Sequence, residues 1–208
     1  MMLVHRRPET TNFDTLVRQP GIAFLRTKPV PTKKDWDRNR YWRYISNELY
    51  SAYNSTCAYL GEWIPTPGSI DHFIPKTVNP SLAYEWDNYR LSSQKMNNNK
   101  GSNVNIVDPF LVRPGGFILD LPSCLIHAGP GLSTIETQLI QNTIDILKLN
   151  DDDNLVQNRC NILVFYSQGD LSITFLRKRY PYIASELERQ GIVETVKTMF
   201  RPLIRSTP

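Results

Sequence analysis

SIDHFIPKTVNPSLAYEWDNYRLSSQKMNNNKGS, residues 69–102, is the stretch around which the chain is organised. Ser69 to Ile74 reads as a short strand that Pro75 ends or places at an edge. Thr77 to Asp87 reads as a loop anchored by Leu82, Tyr84 and Trp86, and Asn88 to Ser92 as a second, alternating strand. Gln94 to Lys100 suits a short helix, with Gly101 available for a left-handed cap. The predicted order is strand, loop, strand, helix.

That order carries a set of polar residues whose chemistry is coherent. Asp71 and Asn97 offer a carboxylate and an amide carbonyl, hard oxygen donors suited to Mg²⁺ or Mn²⁺. His72, with a reference pKa of about 6.5, is a candidate general base. Asn88, sixteen residues further on, is placed to orient the His72 region. Asn97 and Lys100 stand three apart and share a helical face, with Lys100 directed toward phosphate and Lys76 and Arg90 as further phosphate-binding candidates. A cation beside a scissile phosphate neutralises charge while a base deprotonates water, so the set suits phosphodiester hydrolysis. Neighbouring residues in a strand point to opposite faces. Asp71 and His72 can therefore converge only if the strand twists or ends between them.

Outward from this centre the chain divides into three. Residues 1–32 read as an amino-terminal arm, because Pro8, Pro20, Gly21, Pro29 and Pro31 interrupt every apolar run. Residues 33–128 form the core unit, opened by a helical pattern over Lys33 to Tyr53 with Trp42, Ile45, Leu49 and Ala52 on one stripe. Arg38, Arg40 and Arg43 fall mostly on the other side, as a solvated face or beside nucleic acid. Cys57 to Ile64 suggests a hairpin and Phe117 to Leu121 a strand. Residues 129–208 read as a helical region: Ser133 and Glu136 have capping-box spacing, Asp151 to Asp153 suit a helix cap, and helices are expected over 171–180 and 183–190, with a last turn or two at 193–201. The class is α+β.

Bulk properties narrow the options. The 208 residues carry a net charge of +4 and a pI near 9.0, which permits nucleic-acid contact without requiring it. Three separated cysteines contain no CxxC pair, so no disulfide framework is readable, and Cys57 and Cys160 are expected as small buried hydrophobes. The start lacks a signal-peptide core and no apolar run spans a bilayer, so a cytoplasmic, non-membrane protein is the expectation. His5 and His127 are expected to be structural or solvent-facing, and Arg177 to Arg179 a solvated face. No Asp/Glu-x-Lys triplet occurs, which removes one common nuclease chemistry.

The pattern IDHFIP … WDNYRLS … NNNKGS resembles the HNH endonuclease superfamily over roughly residues 59–105. The resemblance implies a ββα-metal core with one divalent cation, held by Asp71 and by Asn97, where many members have His. It implies His72 as general base, Asn88 as the orienting middle residue and Lys100 as the basic residue of the last motif, with DNA as the expected substrate. Many members carry two CxxC pairs around a structural zinc. Here Cys57, Leu60, Ser93 and Met96 stand at those positions, so structural zinc is not expected, and Tyr59, Leu60, Trp63 and Met96 would fill the space. The segment TIDILKLNDDDNLVQNR resembles the helical region of HNH proteins from bacterial anti-phage systems such as Septu and certain retrons, which work beside an ATPase. With no GxxxxGK[ST] loop here, nucleotide dependence would come from such a partner. Two other readings remain: a non-catalytic nucleic-acid- or partner-binding module on a degenerate core, and a nuclease silent until a partner licenses it.

Overall fold

A computed structural model describes residues 1–151 and 153–196. Residues 13–27 of the amino-terminal segment are helical, while residues 1–10 have no regular secondary structure. A π-turn, Asp14–Arg18, runs directly into helix α1, Gln19–Thr27. Pro20 falls in the first turn of α1, where its missing N–H is least felt. At Gly21 an added Cβ would lie 2.1 Å from Cγ of Tyr84, so only glycine permits this approach. Phe13 and Val17 are fully buried, and the Phe13 ring stands edge-on to Trp86 and Tyr89.

The single helix expected over 33–53 is three pieces. Helix α2, Lys33–Arg38, opens with a capping box between Thr32 and Asp35. A 3-10 turn, Tyr41–Ile45, and helix α3, Ser46–Ala52, follow. The break falls at Asn39, whose amide nitrogen donates to the Asp35 carbonyl at 2.8 Å, a local bond that competes with the helical ladder. Trp42, Ile45 and Leu49 are nevertheless buried, as their spacing predicts.

Next comes a hairpin, β1 (Thr56–Cys57) with β2 (Glu62–Trp63), followed by β3 (Ser69–His72) and β4 (Tyr89–Ser92), paired antiparallel with Asp71 opposite Arg90 and His72 opposite Tyr89. The β1–β2 hairpin is tied to β4 by the Ala58 N–H donating to the Leu91 carbonyl at 2.8 Å. Helix α4, Gln94–Lys100, starts at a Ser93 cap and ends at Gly101 with φ +53°. Strand, loop, strand and helix thus stand within a residue or two of their predicted bounds, and the class is α+β.

A third hairpin pairs β5, Phe117–Asp120, where the sequence predicts a strand, with β6, Leu125–Ala128, which the sequence reading did not anticipate. Among the described residues there follow helices α5 (Thr134–Leu147), α6 (Asp153–Gln168), α7 (Ile173–Arg179) and α8 (Pro181–Arg189). The Ser133–Glu136 capping box opens α5, and Pro181 both stops α7 and begins α8. Of the aspartate cap expected at 151–153, Asp153 opens α6 and Asp152 lies outside the described residues; of the turns expected at 193–201, residues 193–195 are turn and 197–201 lie outside the described residues.

The β5–β6 hairpin has its outer edges filled by side chains. Leu119 and Ile126 are partners in the register. The Leu119 N–H donates to Glu186 and its carbonyl accepts from Gln190, both at 2.9 Å. On the other edge, Ile126 exchanges two bonds with the Asn150 amide at 2.9 and 2.7 Å. The cysteine expectation needs correction: Cys124 and Cys160 are disulfide-bonded, with Cα atoms 5.7 Å apart, joining the start of β6 to α6. Thirty-five intervening residues hid that proximity from the sequence. Among the described residues, no helix is long and apolar enough to cross a membrane.

Candidate active site

Strand β3 presents Ser69 and Asp71 on one face, two residues apart, and α4 presents Asn97 and Lys100 three apart. The helix lies across the strand so that the pairs meet in register. The Asn97 amide nitrogen donates to Ser69 Oγ, and Lys100 Nζ donates to Asp71 Oδ1 at 3.0 Å and to the His72 carbonyl at 2.9 Å. The second carboxylate oxygen, Oδ2, accepts a short hydrogen bond from the Tyr59 hydroxyl.

Asp71, with 2% of its surface exposed, has its carboxyl pushed up by burial. The Lys100 ammonium and the Tyr59 hydroxyl oppose that shift. Tyr59 is held well above the usual phenol range by burial first and then by the Asp71 charge, so its hydroxyl stays protonated and donates. Tyr59 is the functional candidate that sequence reasoning missed. The space around Cys57, Leu60, Ser93 and Met96 holds fully buried Tyr59 and Met96, but the Tyr59 hydroxyl is polar and committed to Asp71. Its position between Cys57 and Leu60 was legible; its reach was not.

His72 is the last residue of β3, so the strand ends after the Asp71–His72 pair and not within it. Both residues line one cavity of about 550 Å³. The imidazole Nε2 lies 2.9 Å from the Ala83 carbonyl. A carbonyl only accepts, so Nε2 carries the proton and Nδ1 keeps the lone pair. The ring is edge-on to Trp42 at 4.7 Å and Tyr89 at 5.2 Å. Burial, and after it the Lys76 charge, lower the His72 pKa to about 3 against the pull of the Ala83 carbonyl. His72 is therefore a neutral base at physiological pH.

The Asn88 side chain makes no hydrogen bond to the His72 ring. Its side-chain oxygen accepts from the Ile74 N–H at 2.8 Å, and its nitrogen donates to the Ile74 and Leu82 carbonyls, both at 2.9 Å. It fixes the Leu82 carbonyl, next to Ala83, whose own carbonyl accepts the His72 hydrogen bond, so it acts on the ring through the backbone.

The phosphate-binding candidates separate. Lys76 lines the cavity with its Nζ 5.5 Å from the Trp42 ring centroid, and burial lowers its pKa. Lys100 and Arg90 are turned inward, which corrects the expectation for both. Lys100 is 0% exposed and satisfies buried Asp71. Arg90, 2% exposed, makes a bidentate pair with Asp108 at 2.8 and 2.7 Å, and its guanidinium lies 3.6 Å from the Phe110 ring centroid. A central position in β4 faces such a residue into packing. Across the cavity stand Arg40 and Arg43, the former ion-paired with Asp37.

Two oxygen donors of the kind a hard cation takes keep open lone pairs. A carboxylate has about four lone-pair directions; Lys100 and Tyr59 take two at Asp71. Asn97 spends its nitrogen on Ser69, leaving its amide oxygen as acceptor. Among the described residues no cluster of three or more His, Cys, Asp or Glu could hold a metal. A cation on two protein oxygens would retain waters or take substrate oxygens, as Mg²⁺ readily does.

The architecture is thus a strand–loop–strand–helix unit that brings Asp71, His72 and Asn97 to one cavity, with Asn88 and Lys100 buried behind them, inside an α+β chain. No family model matches the sequence. The chain is similar to the Septu protein PtuB of Bacillus thuringiensis, 28% identical over 123 residues. The alignment covers 56% of this chain and 45% of that relative, so it spans less than half of the relative's length.

Proposed function

We propose that the chain is a metal-dependent HNH-type endonuclease that hydrolyses phosphodiester bonds, most readily in DNA, within an anti-phage defence system. The observation that carries this reading is the convergence of Asp71, Asn97 and His72 on one cavity, with His72 fixed as the Nε2–H tautomer. A divalent cation on the Asp71 and Asn97 oxygens would supply charge neutralisation at the phosphate. His72 Nδ1 takes the proton of the attacking water. A base with a pKa of about 3 is weak, but Lys76 contributes to that depression. A phosphate anion that engages Lys76 cancels its charge and raises the basicity of His72 when substrate arrives. Tyr59 and Lys100 hold the carboxylate of Asp71, and Asn88 holds the loop that aims His72.

The test is cleavage of plasmid DNA with Mg²⁺ or Mn²⁺, with EDTA, and by His72→Ala. Cleavage is expected only with metal and intact His72, and undiminished cutting by the variant rejects the assignment. The similarity to a Septu protein also favours licensing by a partner, with an ATPase as the expected class. In that arrangement cutting appears only on co-expression with the partner and is still abolished by His72→Ala. A binding module on a degenerate core would bind nucleic acid and cut under neither condition.

A further inference from the structure

A second groove, of about 710 Å³, lies apart from the Asp71–His72 cavity and shares no lining residue with it. Its walls come from three separate parts of the chain: the amino-terminal segment with His5 and Arg7, the polar turn of Asn54, Ser55 and Thr56, and the last turn of α7 with Arg177, Lys178 and Arg179. The β2 residue Trp63 also lines it, with the Arg179 guanidinium stacked 3.7 Å from the centroid of its ring. No carboxylate lines the groove.

Arg177 is partnered by Glu188 at 2.7 Å. Arg7, Lys178 and Arg179 have no ion-pair partner among the described residues. Cations at the end of α7 alone would be explained by the helix dipole. Arg7, from the opposite end of the sequence, is not. Three uncompensated cations, hydroxyl and amide donors and an aromatic ring are the set that sugar–phosphate backbones engage.

We propose that this groove is a nucleic-acid backbone site, distinct from the cleavage cavity and independent of whether the cavity cuts. Arg7, Lys178 and Arg179 contact phosphates there, the last held in place by Trp63. Binding is sequence-independent and salt-dependent, because each neutralised phosphate releases condensed counterions.

The experiment uses the full chain in EDTA, so that binding is read without cleavage. The anisotropy of a labelled 30-base-pair duplex is followed across a salt series for the wild type and for Arg7→Gln/Lys178→Gln. Both substituted side chains are exposed. The control, Lys33→Gln/Lys34→Gln, removes the same charge from exposed positions on α2. Circular dichroism melts confirm that all three proteins are folded. The groove variant is expected to lower the slope of log K against log salt by about two, and to weaken binding roughly tenfold per lost contact near 0.1 M salt. The control is expected to leave the slope unchanged.

An unchanged groove variant, an equal loss in the control, or a wild type that does not bind duplex overturns the proposal. So does loss of a protein partner by the groove variant with duplex binding intact, which would make the groove a protein-docking surface. Failure of the cleavage reading is separate, because His72→Ala reports on cutting and this series reports only on binding.

Discussion

At His72 the tautomer follows from a single contact, the Ala83 carbonyl at Nε2, and the neutral form follows from burial. The folded pKa, about 3, lies below the unfolded value of about 6.5, so as pH falls the unfolded chain takes up the proton first. Relative to His72→Gln, the wild type should lose about 1.4 kcal/mol of stability per pH unit below pH 6.5, down to about pH 3, with no such penalty above pH 6.5. Urea melts of both proteins across that range check the slope. Glu62, whose carboxyl burial pushes up to about 7, drifts the opposite way but is common to both proteins and cancels in the difference. Lys100 makes a second case. Lys100→Met strands the buried Asp71 carboxylate and should cost about 3–5 kcal/mol, whereas Lys100→Met/Asp71→Leu should recover much of that loss. A double variant as unstable as the single one would show that the pair is not the source of the cost. The identities of both residues were legible in the sequence. That Lys100 serves Asp71 and not a phosphate was not, because burial depends on what α4 lies across.

The loop between β3 and β4 depends on one side chain. Asn88→Ala removes three hydrogen bonds and leaves the Ile74 N–H and two carbonyls to find water. The expected loss is about 2–4 kcal/mol, with the His72 ring signals broadened in NMR spectra as the Ala83 acceptor loosens. Sharp, unshifted signals would contradict the positioning role. At this scale the sequence was most readable where local chemistry decides: the bounds of α4, the Ser133–Glu136 box of α5 and the period-two strands. It misled at the amino terminus, where prolines were counted as breakers without regard to position. Pro20 and Pro181 both sit in a first helical turn, which tolerates them. Gly21 looked like another breaker, yet it is the place where α1 seats against Tyr84.

Across the whole molecule, the longest covalent loop is the one the sequence concealed. Bonding Cys124 to Cys160, 36 residues apart, should contribute about 3–4 kcal/mol in the chain-entropy picture. Cys160→Ser should therefore melt at lower denaturant than the oxidised wild type and match the wild type kept in reductant. Equal midpoints for oxidised and reduced wild type would contradict this. Arg159, next to Cys160, donates to the Cys124 and Leu149 carbonyls at 2.8 Å, so the same junction is held by hydrogen bonds when the thiols are free. Such long-range meetings leave no mark in spacing or periodicity, whereas the strand–loop–strand–helix unit, being local, did.

The side chains of Asn150, Glu186 and Gln190 on the margins of the β5–β6 ribbon have a consequence for assembly. With the outward peptide groups of Leu119 and Ile126 already matched, that ribbon has no free template at its middle for β-augmentation by another chain. A protein that docks there must recognise side-chain relief and charge, or first evict three amide and carboxylate groups from the backbone they mimic.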